Sequence, residues 1–135
     1  MPKDTENGPS TSRAVVTGCG SFTPSKLLTN DDLAKMVDTS DEWITTRTGI
    51  KVRHITTESE TTAFLATEAG KRALEYAGVD AKELDLIIVA TITPEMPFPS
   101  TACFVQEALS AKNAWVFDLA AACSGFVYAL HIVQQ

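Results

Sequence analysis

The residue best placed to do chemistry is Cys123, which lies between the apolar run WVFDL (115–119) and the apolar stretch FVYALHIV that follows. Its neighbours Ala120, Ala121, Ala122, Ser124 and Gly125 are all small. If a strand turns into a helix here, the thiol meets the positive end of the helix dipole, which favours the thiolate. Small neighbours leave room for an acyl thioester and for a backbone amide to approach its oxygen. The same residues also suit a small core cysteine in a tight turn, since free cysteines are commonly buried. Taken alone, the local sequence leaves both readings open. His131, eight residues further on, would lie about 12 Å along a continuous helix, beyond reach as a base for Cys123. His54 follows Arg53 in a strand or turn and is expected to be structural.

A second group, Trp43, Arg47, Lys51 and Arg53, combines an aromatic ring with cations. Such a patch could take a phosphorylated adenine ligand by stacking and charge-assisted bonds, or could be a solvated surface. Gly18-Cys19-Gly20 follows an expected strand, but Thr23 stands where a third glycine would complete a dinucleotide fingerprint. A plain turn is the better reading. Cys19 and Cys103 are expected to be packing residues. Three cysteines without CxxC spacing, and no export signal, point to free thiols in a reducing cytoplasm rather than disulfides or zinc.

These residues need elements to position them. Arg13–Cys19 reads as a strand stopped by Gly18 and Gly20. Thr29 or Asn30 caps a helix to about Val37, and Ser40 caps a second helix that Gly49 ends. Small residues at 63, 66, 70, 73 and 77 mark a close-packing helix over Thr61–Tyr76, closed by Gly78. Leu84–Thr91 is an apolar, β-branched run expected to be a parallel strand covered on both faces. Pro94, Pro97 and Pro99 stiffen a loop, Ser100 caps a helix to about Ser110, and Trp115–Leu119 is a strand leading to a helix from Cys123 to Gln135. This alternation predicts the α/β class.

The 135 residues suffice for one α/β domain over 13–135, preceded by a polar tail at 1–12 expected to be disordered. No apolar run reaches membrane-spanning length. A net charge of −6 and a pI near 4.8 argue against nucleic acid as the main partner. The final helical pattern carries no stop signal, so the domain is expected to be truncated at its C-terminal end.

With these motifs in place, the chain resembles the β-ketoacyl-acyl-carrier-protein synthase III family of the thiolase-like superfamily. The resemblance rests on TGCGSFTP, LTNDDLAKMVDTSDEWITTRTGI, RHI, ATEAG, LIIVAT, FPSTAC and FDLAAACSGFVYAL. VDTSDEWITTRTGI and the cysteine loop AAACSGF, in this order, are its most specific segments. It implies the N-terminal half of the thiolase-like α-β-α-β-α layered fold, with Cys123 as nucleophile. Trp43 and Arg47, with Thr39 beside them, match positions that hold coenzyme A. Phe98 matches a residue reaching the acyl pocket of the neighbouring subunit, so the full-length protein would be a homodimer.

The implied reaction is a decarboxylative Claisen condensation. An acyl-CoA primer, acetyl-CoA in the usual case, acylates Cys123, and malonyl-acyl carrier protein is the second substrate. It starts type II fatty acid synthesis in the cytoplasm, with no metal or redox cofactor and no membrane partner. The family also uses a His and an Asn from its C-terminal half, which these residues do not include, so the chain alone is expected to be inactive. The alternatives are a non-catalytic pseudoenzyme or interaction module, and a secondary-metabolism condensing enzyme with another acyl primer.

Overall fold

A computed structural model describes residues 14–135, so the expected tail at 1–12 and Arg13 lie outside the described residues. Two small sheets are flanked by helices. Strand β1 (Lys26–Thr29) pairs antiparallel with β2 (Val52–Ile55), with Lys26 opposite Ile55 and Thr29 opposite Val52. Between them run α1 (Asn30–Ala34) and α2 (Asp41–Thr48). Next come α3 (Thr62–Ala77), a 3-10 turn at Ala81–Glu83, β3 (Leu86–Ala90), α4 (Thr101–Leu109) and β4 (Trp115–Leu119). β3 and β4 are parallel, from Leu86 opposite Trp115 to Ala90 opposite Leu119, so β3, α4 and β4 form a βαβ unit. A second 3-10 turn, Ala122–Ser124, leads into α5 (Gly125–Gln134).

The helix ends follow local sequence signals. Thr29 caps α1 in a capping box with Asp32, and this box holds the Asp32 carboxyl down at about 2, chiefly through the Thr29 hydroxyl. Ser40 and Thr61 cap α2 and α3, while Gly49 and Gly78 close them at φ 70° and 66°. α1 stops at Ala34, earlier than the expected Val37, because residues 35–38 turn to reach the α2 cap.

The core gathers Ala63, Val89, Ala102 and Val105, with Ala66, Ile87, Leu109 and Val116 packed against it. It lies where α3 and α4 cover the parallel pair. The small-residue stripe of α3 works on two sides. Ala63 and Ala66 face this core, while Ala69, Ala73 and Ala77 lie under the chain at Gly18 and Gly20. A Cβ on Gly20 would overlap the Ala69 carbonyl and come within 2.5 Å of the Ala73 nitrogen. Glycine is needed there for close approach.

Three expectations are corrected. Residues 14–20 form no strand: a strand needs a ladder partner, none is present among the described residues, and Val15 and Val16 are 78% and 77% exposed. The run Leu84–Thr91 contracts to Leu86–Ala90 because Ala81–Glu83 turn under an Asp80 capping box. It is also less covered than expected, with only Val89 buried. The last helix begins at Gly125 rather than Cys123, which sits in the tighter turn before it.

Candidate active site

Cys123 occupies the 3-10 turn that joins the end of β4 to α5, and it is exposed. The C-terminal edge of parallel strands, where β3 and β4 both end, is the usual place for ligands in α/β sheets. The turn is sharp because Ala122 adopts φ 44°, a left-handed conformation that costs a non-glycine residue roughly 1–2 kcal/mol. Gly125 then lets α5 start against the sheet, since a Cβ there would stand 3.0 Å from the Ala90 Cβ. A strained residue before the thiol and a close-packed glycine after it fix where Cys123 points.

Behind this turn stands Asp118 of β4, which the sequence reading passed over. Its carboxylate accepts the backbone N–H groups of Thr101 at 2.7 Å and Ala102 at 2.8 Å. It therefore caps α4, a role expected of Ser100. The Ser100 side chain makes no capping bond and instead lies 3.2 Å from the Cys103 sulfur. Glu95 adds a second tie between elements, accepting the Ala63 N–H of α3 at 2.5 Å and the Thr101 hydroxyl of α4 at 2.9 Å. Burial pushes the Glu95 carboxyl up, but the Ala63 N–H and its other donors outweigh this and hold it below its ordinary value. Both acids bind the positive ends of helices, a pattern invisible to local reading because the partners are 6 to 32 residues apart.

Phe98 lies on the loop bound at its root by Glu95 and is 87% exposed. Trp43 and Arg47 stand one turn apart on α2, with the Arg47 guanidinium 4.3 Å from the Trp43 ring centroid. With Ser40, Glu42 and Thr46 they line a surface pocket. Thr39, just before the α2 cap, has a buried hydroxyl with no hydrogen-bond partner among the described residues. The structure thus brings Trp43 and Arg47 together, whereas Cys123 and Phe98 belong to other elements.

Arg53 leaves the expected cationic patch, because its guanidinium donates to Asn30 Oδ1 instead. His54 is structural as expected, its Nδ1 bonded to the Pro24 carbonyl at 2.7 Å. Cys103 is half-buried, but Cys19 is exposed rather than packed. Among the described residues, no group of three or more His, Cys, Asp or Glu side chains could hold a metal ion. No described helix is long and apolar enough to cross a membrane.

No protein-family model matches the sequence. The chain is 62% identical over 122 residues to β-ketoacyl-[acyl-carrier-protein] synthase III of Caldanaerobacter subterraneus subsp. tengcongensis, covering 90% of this chain and 37% of that protein. The crystal structure of 3-oxoacyl-[acyl-carrier-protein] synthase III from Aquifex aeolicus superposes with a TM-score of 0.83 at 59% identity, over 87% of this chain and 38% of that one. The priming β-ketosynthase of the R1128 polyketide biosynthetic pathway gives 0.84 at 42% identity, over 88% and 36%. The chain therefore spans well under half the length of the relatives it matches.

Proposed function

We propose, from the premise that this chain is akin to the N-terminal portion of the β-ketoacyl-acyl-carrier-protein synthase III family, that it supplies the acyl-carrying part of such a condensing enzyme. The observation that carries this reading is the exposed Cys123 in a strained turn at the C-terminal edge of the parallel strands. The Cys123 sulfur attacks the thioester carbonyl of an acyl-CoA primer, acetyl-CoA in the first instance, and coenzyme A departs with the proton. Trp43 and Arg47, with Thr39 beside them, hold the adenine and phosphate end of the donor. Phe98 contributes to an acyl pocket across a homodimer. Malonyl-acyl carrier protein then loses carbon dioxide, and its carbanion takes the acyl group to give a 3-oxoacyl product.

Coenzyme A enters as substrate, and the family resemblance implies no metal or redox cofactor. The reaction belongs to the cytoplasm, at the start of type II fatty acid synthesis. The condensation step draws on a His and an Asn outside these 135 residues, so the chain by itself supports acylation at most. Likeness to a priming β-ketosynthase of a polyketide biosynthetic pathway supports a second reading, a secondary-metabolism condensing enzyme, for which another acyl primer is the alternative.

The test is peptide mass spectrometry after incubation with acetyl-CoA and a panel of longer, branched and aromatic acyl-CoAs. An acyl adduct confined to the Cys123 peptide, and lost in Cys123→Ala, is expected. Equal labelling of Cys19, Cys103 and Cys123 would refute a selective nucleophile. Adducts from aromatic or long chains alone would move the chain to the second reading.

A further inference from the structure

Trp43 and Arg47 can serve a ligand only if α2 is held still, and α2 has just eight residues. What holds it is Asn30, the first residue of α1, which is 1% exposed although polar. Its amide nitrogen, with two N–H groups, donates to Asp41 Oδ1 at 2.7 Å and to the Ile50 carbonyl at 2.9 Å, and lies 3.3 Å from Thr45 Oγ1, which can only share one of those hydrogens. Its amide oxygen accepts from Arg53 of β2, and its backbone N–H donates to the Lys51 carbonyl at 3.3 Å. One side chain thus joins the first turn of α2, its middle, the chain after its Gly49 stop, and β2. A buried amide this well satisfied fixes geometry, because any shift of α2 would orphan several polar groups at once.

The helix period adds the functional point. Asp41 and Asp41's neighbour one turn on, Thr45, face Asn30, whereas Trp43 and Arg47 are each two residues further along, about 200° around the helix. The face that Asn30 grips is therefore opposite the face that stacks ring and guanidinium. We propose that Asn30 is the positioning residue of the Trp43–Arg47 platform, setting its orientation toward the adenine and phosphates of coenzyme A without touching them. This rests on the coenzyme A reading of that platform.

The test compares Asn30→Ala with the unaltered 135-residue chain by calorimetric titration with adenosine 3′,5′-bisphosphate and by amide exchange. Affinity should fall roughly tenfold, the effect of orphaning buried polar partners. Exchange should accelerate in residues 41–48 but not in α3 or α4. Val105→Ala, on the core-facing side of α4, lowers stability elsewhere and should leave affinity unchanged. A merely structural role for Asn30 would make the two variants alike, and unchanged exchange in α2 would overturn the proposal outright. If the unaltered chain binds no bisphosphate, the ligand reading fails, while the exchange comparison still decides whether Asn30 positions α2. Should Asn30→Ala not fold, Asp41→Ala removes one of the same bonds from the exposed side and repeats both measurements.

Discussion

Replacing Asp118 by Ala should destabilise the chain far more than replacing Ser100, although Ser100 is the residue a sequence reader would choose as the α4 cap. The carboxylate accepts two N–H groups, from Thr101 and Ala102, and both residues are 0% exposed. A buried donor left without a partner costs about 1–3 kcal/mol. Loss of an N-cap side chain costs about 0.5–2 kcal/mol. The two donors belong to one helix end, and a water admitted to the gap would satisfy one of them, so their costs do not simply add. We expect Asp118→Ala to lose about 2–4 kcal/mol, a large share of the 5–15 kcal/mol typical of a domain. Asp118→Asn keeps one carbonyl acceptor and should lose roughly half as much. Ser100→Ala removes only a hydroxyl resting 3.2 Å from the Cys103 sulfur and should stay within about 0.5 kcal/mol. Urea unfolding of dilute protein, followed by far-ultraviolet circular dichroism, reads the difference as a midpoint shift of about 1–2 M for Asp118→Ala. If Ser100→Ala shifts the midpoint as far as Asp118→Ala, the capping assignment is wrong. If neither variant moves it, α4 does not depend on a capped start.

Glu95 should contribute to the acid limb of stability. Its folded carboxyl titrates below the ordinary 4.5, so its stabilisation is present above that pH and is lost as the pH falls through the folded value. Glu95→Gln should therefore flatten part of the decline in urea midpoint between pH 5 and 3 relative to the parent, whereas parallel curves would remove Glu95 from the acid response. Ala122→Gly should raise stability by up to about 1 kcal/mol by relieving the left-handed strain, while Ala122→Val should lower it. A stabilising Ala122→Val would contradict the φ of 44°. Self-association is also expected, because Phe126, Val127, Tyr128 and Val133 of α5 are exposed together with Trp115 of β4. A monodisperse monomer in light scattering, unchanged on concentration, would refute it.

The parts of the fold that were legible are those decided within a few residues. Ser40, Thr61, Gly49 and Gly78 mark helix ends because a cap is a local hydrogen bond or a local backbone twist. Trp115–Leu119 was readable as a strand because its apolar, β-rich run lies between turns. Strand β1 was not, since KLLT has no alternation and becomes a strand only by pairing with VRHI, from Thr29 opposite Val52 to Lys26 opposite Ile55. The absence of a strand at 14–19 has the same origin. A β-rich run without a ladder partner forms no strand, and Gly18 and Gly20 serve the close approach to α3.

The site divides along the same line. Trp43 and Arg47 were readable as members of an aromatic and cationic patch by residue type, and their four-residue spacing on α2 is what stacks them in the structure. Arg53 looked equally available, yet it turns inward to Asn30, and only tertiary structure reveals that a buried amide claims it. Cys123 was legible as a junction of strand and helix among small residues, but not the means by which its turn is held. Alanine has no preference for positive φ, so nothing in AAACSGF announces the twist at Ala122. The twist persists because both sides are anchored. Asp118 ties the preceding strand to α4, and Gly125 seats the following helix against Ala90. Strain held between two fixed supports can orient a side chain, whereas strain beside a loose segment simply relaxes. The placement of the Cys123 turn therefore depends on residues that look ordinary in the sequence, and the Asp118 and Ala122 variants probe the two supports of that turn separately.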